Sequence, residues 1–181
     1  MAYEFKVTRR VEFSETDMEG IMHFSNFFRF METAEHAFFR SLGYSVVLSR
    51  NGLMFCLPRV HAECDYTAPL RFEDEVQIHL LVEKKSRRSL TYQFRFRRLN
   101  GSAPEEVARG RVTVVCAERR SDGSLKAVTL PAAIAEQIQE APQGILADGF
   151  GAGGEHSVSG LVKGRGAPRR GSRYLSRLLP T

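Results

Sequence analysis

Cysteine is scarce in this chain, and what there is does not pair. Cys56, Cys64 and Cys116 are an odd count without CxxC spacing, so neither a disulfide framework nor a zinc site is indicated, and the three read as reduced, buried, small apolar residues. Long apolar runs are also lacking, and none approaches the ~18 residues that a membrane span needs. The opening MAYEFKVTRR has no secretory hydrophobic core. A cytoplasmic location without a membrane partner is therefore expected, and nothing in the residues asks for a metal or another cofactor.

Acidic residues thin out toward the C-terminus. After Pro142, Lys163, Arg165, Arg169, Arg170, Arg173 and Arg177 face only Asp148 and Glu155, so four of the five net positive charges lie there and the body is almost neutral. The same stretch holds nine of the fifteen glycines and almost no periodic apolar pattern before Tyr174. The expected division is thus a packed domain over residues 1–142 and a flexible basic extension over 143–181, with SRYLSRLLP as a short amphipathic turn. A basic arm could hold nucleic acid by charge alone, but with neither a motif nor aromatics interleaved before Tyr174, no nucleic acid is expected.

The body has a legible pattern. Phe27, Met31, Ala34, Phe38 and Leu42 recur at helical spacing, and Phe24, Phe28, Phe30, Ala37 and Phe39 widen the apolar arc. Gly43 is a natural stop, and a helix this apolar is wrapped on most sides. Residues 3–13, 54–66, 75–87, 89–98 and 106–118 read as strands, most clearly where Leu90, Tyr92, Phe94 and Phe96 alternate with Thr91, Gln93, Arg95 and Arg97. A Pro-initiated helix is expected over 131–140. One strand, one long helix and four further strands predict an α+β fold, an antiparallel five-stranded sheet wrapped around one central helix.

The chemistry concentrates just before that helix, in FSETDMEGIMHFSNFFRFMETAE from Phe13 to Glu35. The first N–H groups of a helix lack internal partners and the peptide dipoles leave partial positive charge there, so an oxyanion finds donors. Asp17 places a carboxylate nearby, and Gly20 lets the chain turn sharply between them. Ser25 is the expected N-cap, leaving the His23 and Phe24 N–H groups as candidate oxyanion donors. Glu32 and Glu35 read as charge partners of Arg29 and Arg40 on the helix surface.

The segment Asp17–Ala34, D-M-E-G-I-M-H-F-S-N-F-F-R-F-M-E-T-A, resembles the signature of the 4-hydroxybenzoyl-CoA thioesterase branch of the hotdog-fold thioesterases. Asp65–Asp74, with its Pro69, is similar to a second landmark of that family. The resemblance covers about residues 3–140; the tail has no counterpart. It implies a hotdog protomer that forms a homo-oligomer, a dimer or tetramer with sites between subunits, and an acyl-CoA substrate. It implies Asp17 as nucleophile or general base, the Phe24 backbone N–H as oxyanion donor and His23 as a further candidate catalytic group. Gly20 and Asn26, with Lys85, Arg87 and Arg88 of the basic turn Glu83–Ser89, are the candidate substrate-binding residues, the cations serving the nucleotide phosphates. Two other classes stay open. A hotdog enoyl-CoA hydratase would use an Asp and a His, although Asp17 and His23 are six apart and not the five of that pattern; the other is a non-catalytic acyl-binding module.

Overall fold

The computed structural model describes residues 1–45, 48–50 and 53–147. The expected helix forms as α1, Ser25–Ser41, and buries Phe27, Phe30, Met31, Ala34, Phe38 and Phe39. Gly43 ends it at φ +83°, a left-handed conformation that favours glycine. Phe24 is the exception within the apolar arc, being 60% exposed at the helix mouth.

A five-stranded antiparallel sheet curls around α1 in the order β1-β5-β6-β7-β4. Its strands are β1 (Glu4–Arg10), β4 (Arg59–Tyr66), β5 (Glu75–Lys85), β6 (Ser89–Arg98) and β7 (Glu105–Val115). The β6 alternation holds, since Leu90, Tyr92, Phe94 and Phe96 are all buried in the core. Burying each such side chain contributes roughly 2–3 kcal/mol, which fixes the register because a one-residue slip would expose the whole set. Helix and sheet come close at Gly110 of β7, where an added Cβ would collide with Met31 Sδ.

The two longest predicted strands are each broken. Residues 54–66 divide into β3 (Leu53–Cys56) and β4, because Pro58 between them has no N–H for a ladder. Residues 106–118 divide at Cys116, whose N–H turns away to the Arg88 carbonyl. The pieces build a second, four-stranded sheet not anticipated from sequence, β2-β3-β8-β9, from β2 (Leu48–Arg50), β3, β8 (Ala117–Arg119) and β9 (Leu125–Ala127). The predicted helix over 131–140 shortens to α2, Ala132–Ala135. Its chain then extends, and Gln139 N–H bonds the Ala2 carbonyl.

The body also reaches beyond 142. A short helix α3, Gln143–Ala147, follows, and the Arg95 guanidinium donates to the carbonyls of Ile145 and Leu146. That contact explains why Arg95, on the outer face of β6, is 2% exposed. The rest of the expected basic extension, including SRYLSRLLP, lies outside the described residues.

Candidate active site

The loop before α1 is a small hairpin closed by its own backbone. Thr16 and Met22 form an antiparallel bridge, and Asp17 N–H bonds the Ile21 carbonyl at 2.9 Å. Gly20 turns the chain at φ +71°, as its placement required. His23 N–H donates to the Glu15 carbonyl at 2.9 Å, and the Asn26 side-chain amide donates to the same oxygen at 2.7 Å. Met22 N–H anchors the hairpin to the Leu70 carbonyl at 2.7 Å. Residues 15–17 are thereby held beside residues 21–23, with Asp17 next to the mouth of the helix.

These bonds sort the candidate residues. Asp17 is half-buried, and one carboxylate oxygen accepts the Glu19 N–H at 2.9 Å. Its other oxygen has no hydrogen bond among the described residues. The Phe24 N–H also has no acceptor there, so one free donor and one free carboxylate oxygen occupy the same small structure. His23 is corrected as a backbone donor, because Glu15 already takes its N–H. Its exposed ring stays at the mouth, tilted against Phe24 at 4.5 Å, with Nδ1 2.8 Å from Ser25 Oγ. Ser25 is the first helical residue and not the cap; the cap position is Phe24, already helical at φ −52° and ψ −34°.

Asn26 and Lys85 change meaning. Asn26 is buried and spends its amide on Glu15, which makes it a tie between loop and helix. The Lys85 ammonium donates to the Ala135 and Ile138 carbonyls at 2.9 and 2.6 Å, closing the end of α2. A phosphate would have to displace both. Arg87 and Arg88, in contrast, stand exposed at the β5–β6 tip, and their guanidinium groups have no acceptor among the described residues. Within one chain this tip is not brought to Asp17. The Asp17 hairpin adjoins the Glu75 end of β5, since Arg10 pairs Glu75, and the tip lies beyond Lys85, roughly 30 Å along the strand.

Two residues matter more than the sequence suggested. Tyr66 on β4 sets its hydroxyl 3.4 Å from the Phe24 carbonyl and its ring 4.9 Å from Phe27, with burial raising its pKa to about 12. Its landmark position was visible, but not that β4 passes the helix mouth. Glu35 is 2% exposed and pairs with Arg59 of β4 at 2.6 Å, not with Arg29 or Arg40 as expected. Arg59 also lies 3.3 Å from Glu32, which in turn meets His36. Burial raises the Glu35 pKa to about 7 against the opposing pull of Arg59. Tyr92 is near enough to influence that ionisation, yet neither its hydroxyl nor Glu35 Oε1 reaches hydrogen-bonding geometry.

Among the described residues no group of His, Cys, Asp and Glu is arranged to hold a metal ion, and no helix is long and apolar enough to cross a membrane. A carboxylate beside a helix N-terminus is suited to acyl transfer.

Comparison with known proteins points the same way. A model of the thioesterase-like superfamily matches residues 11–138. An esterase-named protein of Aquifex aeolicus (strain VF5) is 41% identical over 91 residues, which cover 50% of this chain and 70% of that one. The 1,4-dihydroxy-2-naphthoyl-CoA hydrolase of Prochlorococcus marinus (strain NATL1A) is 32% identical over 99 residues, covering 51% of this chain and 66% of its own. The structure of 4-hydroxybenzoyl-CoA thioesterase from Pseudomonas sp. strain CBS-3 superposes with a TM-score of 0.65 at 21% identity, over 75% of this chain and 99% of that one. An Asp-to-Asn mutant of a 4-hydroxybenzoyl-CoA thioesterase, complexed with 4-hydroxybenzoyl-CoA, matches with the same TM-score.

Proposed function

Because this chain belongs to the thioesterase-like superfamily, a family of thioester hydrolases, we propose that it hydrolyses an acyl-CoA to the free acid and CoA, with Asp17 as the acting group. The observation that carries this reading is the free Phe24 N–H at the α1 mouth, in the hairpin that leaves one Asp17 oxygen unoccupied. Polarised by that N–H, the thioester carbonyl develops negative charge as it becomes tetrahedral, and a donor so placed contributes about 3–4 kcal/mol to the transition state.

Two routes suit Asp17. As nucleophile its carboxylate attacks the carbonyl carbon, the C–S bond breaks, CoA leaves as a thiolate that takes a proton from solvent, and water then opens the mixed anhydride. As general base it takes a proton from the attacking water, and the same C–S bond breaks. His23, beside the mouth, is placed to contact either the acyl group or that water. Gly20 contributes the turn that presents Asp17, and Asn26 holds the helix start in place.

Substrate binding calls for a second copy of the chain. Arg87 and Arg88 are free cations suited to nucleotide phosphates, but their own chain holds them at the far end of the sheet. The edge strand β4 offers its unpaired side over eight residues, nearly all exposed, which is the kind of edge a partner strand covers. A homo-oligomer assembled there would let one copy's cations serve the other copy's mouth.

The test is release of free CoA thiol from a panel of short, long and aromatic acyl-CoA thioesters. Hydrolysis that Asp17→Asn lowers roughly 10²–10⁴-fold, in a variant that melts like the parent, supports the reading. Hydration of enoyl-CoA without thiol release, or no turnover across the panel, would contradict it.

A further inference from the structure

Tyr66 carries a hydroxyl that neither the core nor the helix needs. Its ring is set edge-on against Phe27 at 4.9 Å, and Phe27 packs in the same way on the buried Phe96 at 5.1 Å. The ring is thus fixed from the core outward, while the residue as a whole stays 44% exposed at the helix mouth. Its hydroxyl lies 3.4 Å from the Phe24 carbonyl, well beyond the about 2.7–2.8 Å usual between two hydrogen-bonded oxygens. That carbonyl opens the α1 ladder and already has the Phe27 N–H at 3.3 Å. A rigidly held phenol therefore keeps a loosely spent donor at the mouth.

Its place decides which part of a thioester it meets. In a helical residue the N–H points toward the N-terminus and the carbonyl toward the C-terminus, so the Tyr66 hydroxyl stands a short step along the helix from the Phe24 N–H. A thioester whose oxygen sits on that N–H has two other substituents, the acyl chain and the sulfur. Arg59 pairs with Val114 and Ser89 with Val115, so the Arg59 end of β4 lies by the β5–β6 tip and the Tyr66 end lies at the mouth. Two copies joined by a two-fold axis along their β4 edges run those strands antiparallel. That arrangement sets the Arg87 and Arg88 tip of one copy at the Tyr66 end of the other. The CoA arm then leaves the mouth across β4, and the sulfur at its root passes Tyr66.

We propose that the Tyr66 hydroxyl donates a hydrogen bond to the thioester sulfur and stabilises the departing CoA thiolate. This assignment rests on the thioesterase reading above. As the C–S bond breaks, its electron pair moves to the sulfur, which becomes a stronger acceptor for the hydroxyl. Burial, with Cys64 adding to it, raises the phenol pKa to about 12, far above the ~8.5 of an ordinary thiol. The proton therefore stays on Tyr66, and the thiolate takes its own from solvent. Asp17 then acts at the carbonyl carbon, the Phe24 N–H at the oxygen and Tyr66 at the sulfur.

The test compares wild type with Tyr66→Phe on benzoyl and hexanoyl thioesters, each carried by CoA, by N-acetylcysteamine or by 4-nitrothiophenol, and reads kcat/KM for thiol release. The variant keeps its ring on Phe27 and should melt with the parent. It is expected to lose roughly 10–10²-fold on the CoA and N-acetylcysteamine thioesters, as for a hydrogen bond to a charged group, and less than about twofold on the nitrophenyl thioesters, whose thiolate leaves without help. On the CoA thioesters the loss should lie in kcat, because the sulfur is anionic only as the bond breaks. An equal loss on every carrier, a loss on CoA thioesters alone, a rise in KM alone, or no loss at all would overturn the role of Tyr66 while leaving the thioesterase reading intact. Wild type inert on both CoA thioesters would remove the thioesterase reading and this one with it.

Discussion

The two ends of one helical stripe handle polarity in opposite ways. At the mouth, the Asp17 hairpin satisfies nearly all of its backbone through its own bonds and leaves out one donor and one carboxylate oxygen at a surface that water reaches. In the middle, Glu35 sits out of water with half of its carboxyl unpartnered, and burial lifts its pKa to about 7. The first arrangement costs little and can be rebuilt from a short run of sequence. The second costs stability and depends on residues from three elements, α1, β4 and β6.

Titration sharpens the contrast most. The folded-state pKa of Glu35 lies above its unfolded value of about 4.5, so its contribution is fully present below that pH and is lost as pH rises through about 7. That corresponds to roughly 3 kcal/mol between the two limits. Chemical denaturation across this range should show wild type losing stability that Glu35→Gln keeps. The partner test is Arg59→Met, expected to cost about 2 kcal/mol at pH 8, where Glu35 is charged, and less at pH 5.5, where it is protonated. Equal losses at both pH values would mean that the pair is not coupled.

The mouth and the remote tip should respond in function and not in titration. Replacing Arg87 and Arg88 together by Ala should raise KM about tenfold, roughly 1.4 kcal/mol, with kcat and melting temperature unchanged, since only ground-state binding is lost. The smallest effect is expected at Gly20→Ala. No heavy atom lies within 4 Å of the added Cβ, so only the left-handed φ is strained, at about 1 kcal/mol. A thermal melt reads that loss, and the same variant should lower kcat by tilting Asp17.

What could be read from sequence follows the same divide. The start of α1 near Ser25, its stop at Gly43 and the faces of β6 were legible because each depends on neighbours within a few positions. The position of Asp17 and Gly20 in a turn just before α1 was legible for the same reason. The breaks at Pro58 and Cys116 were not, because a local pattern continues through them and only the second sheet shows where the chain goes. Lys85 read as a free cation until α2 supplied carbonyls fifty residues away in sequence. Glu35 read as a surface charge because Arg29 and Arg40 lie within helical reach, while its true partner, Arg59, arrives from a strand that follows a loop. Tyr66 was hidden in the same way, since only the passage of β4 along α1 brings it to the mouth.

The proposed chemistry lies at the Asp17 mouth of α1. The most direct measurement is thiol release by wild type and Asp17→Asn on the acyl-CoA that wild type hydrolyses fastest. Asp17→Asn keeps an oxygen for the Glu19 N–H, so it should fold normally and lose hydrolysis roughly 10²–10⁴-fold. Full hydrolysis by a folded Asp17→Asn would contradict the claim at its root.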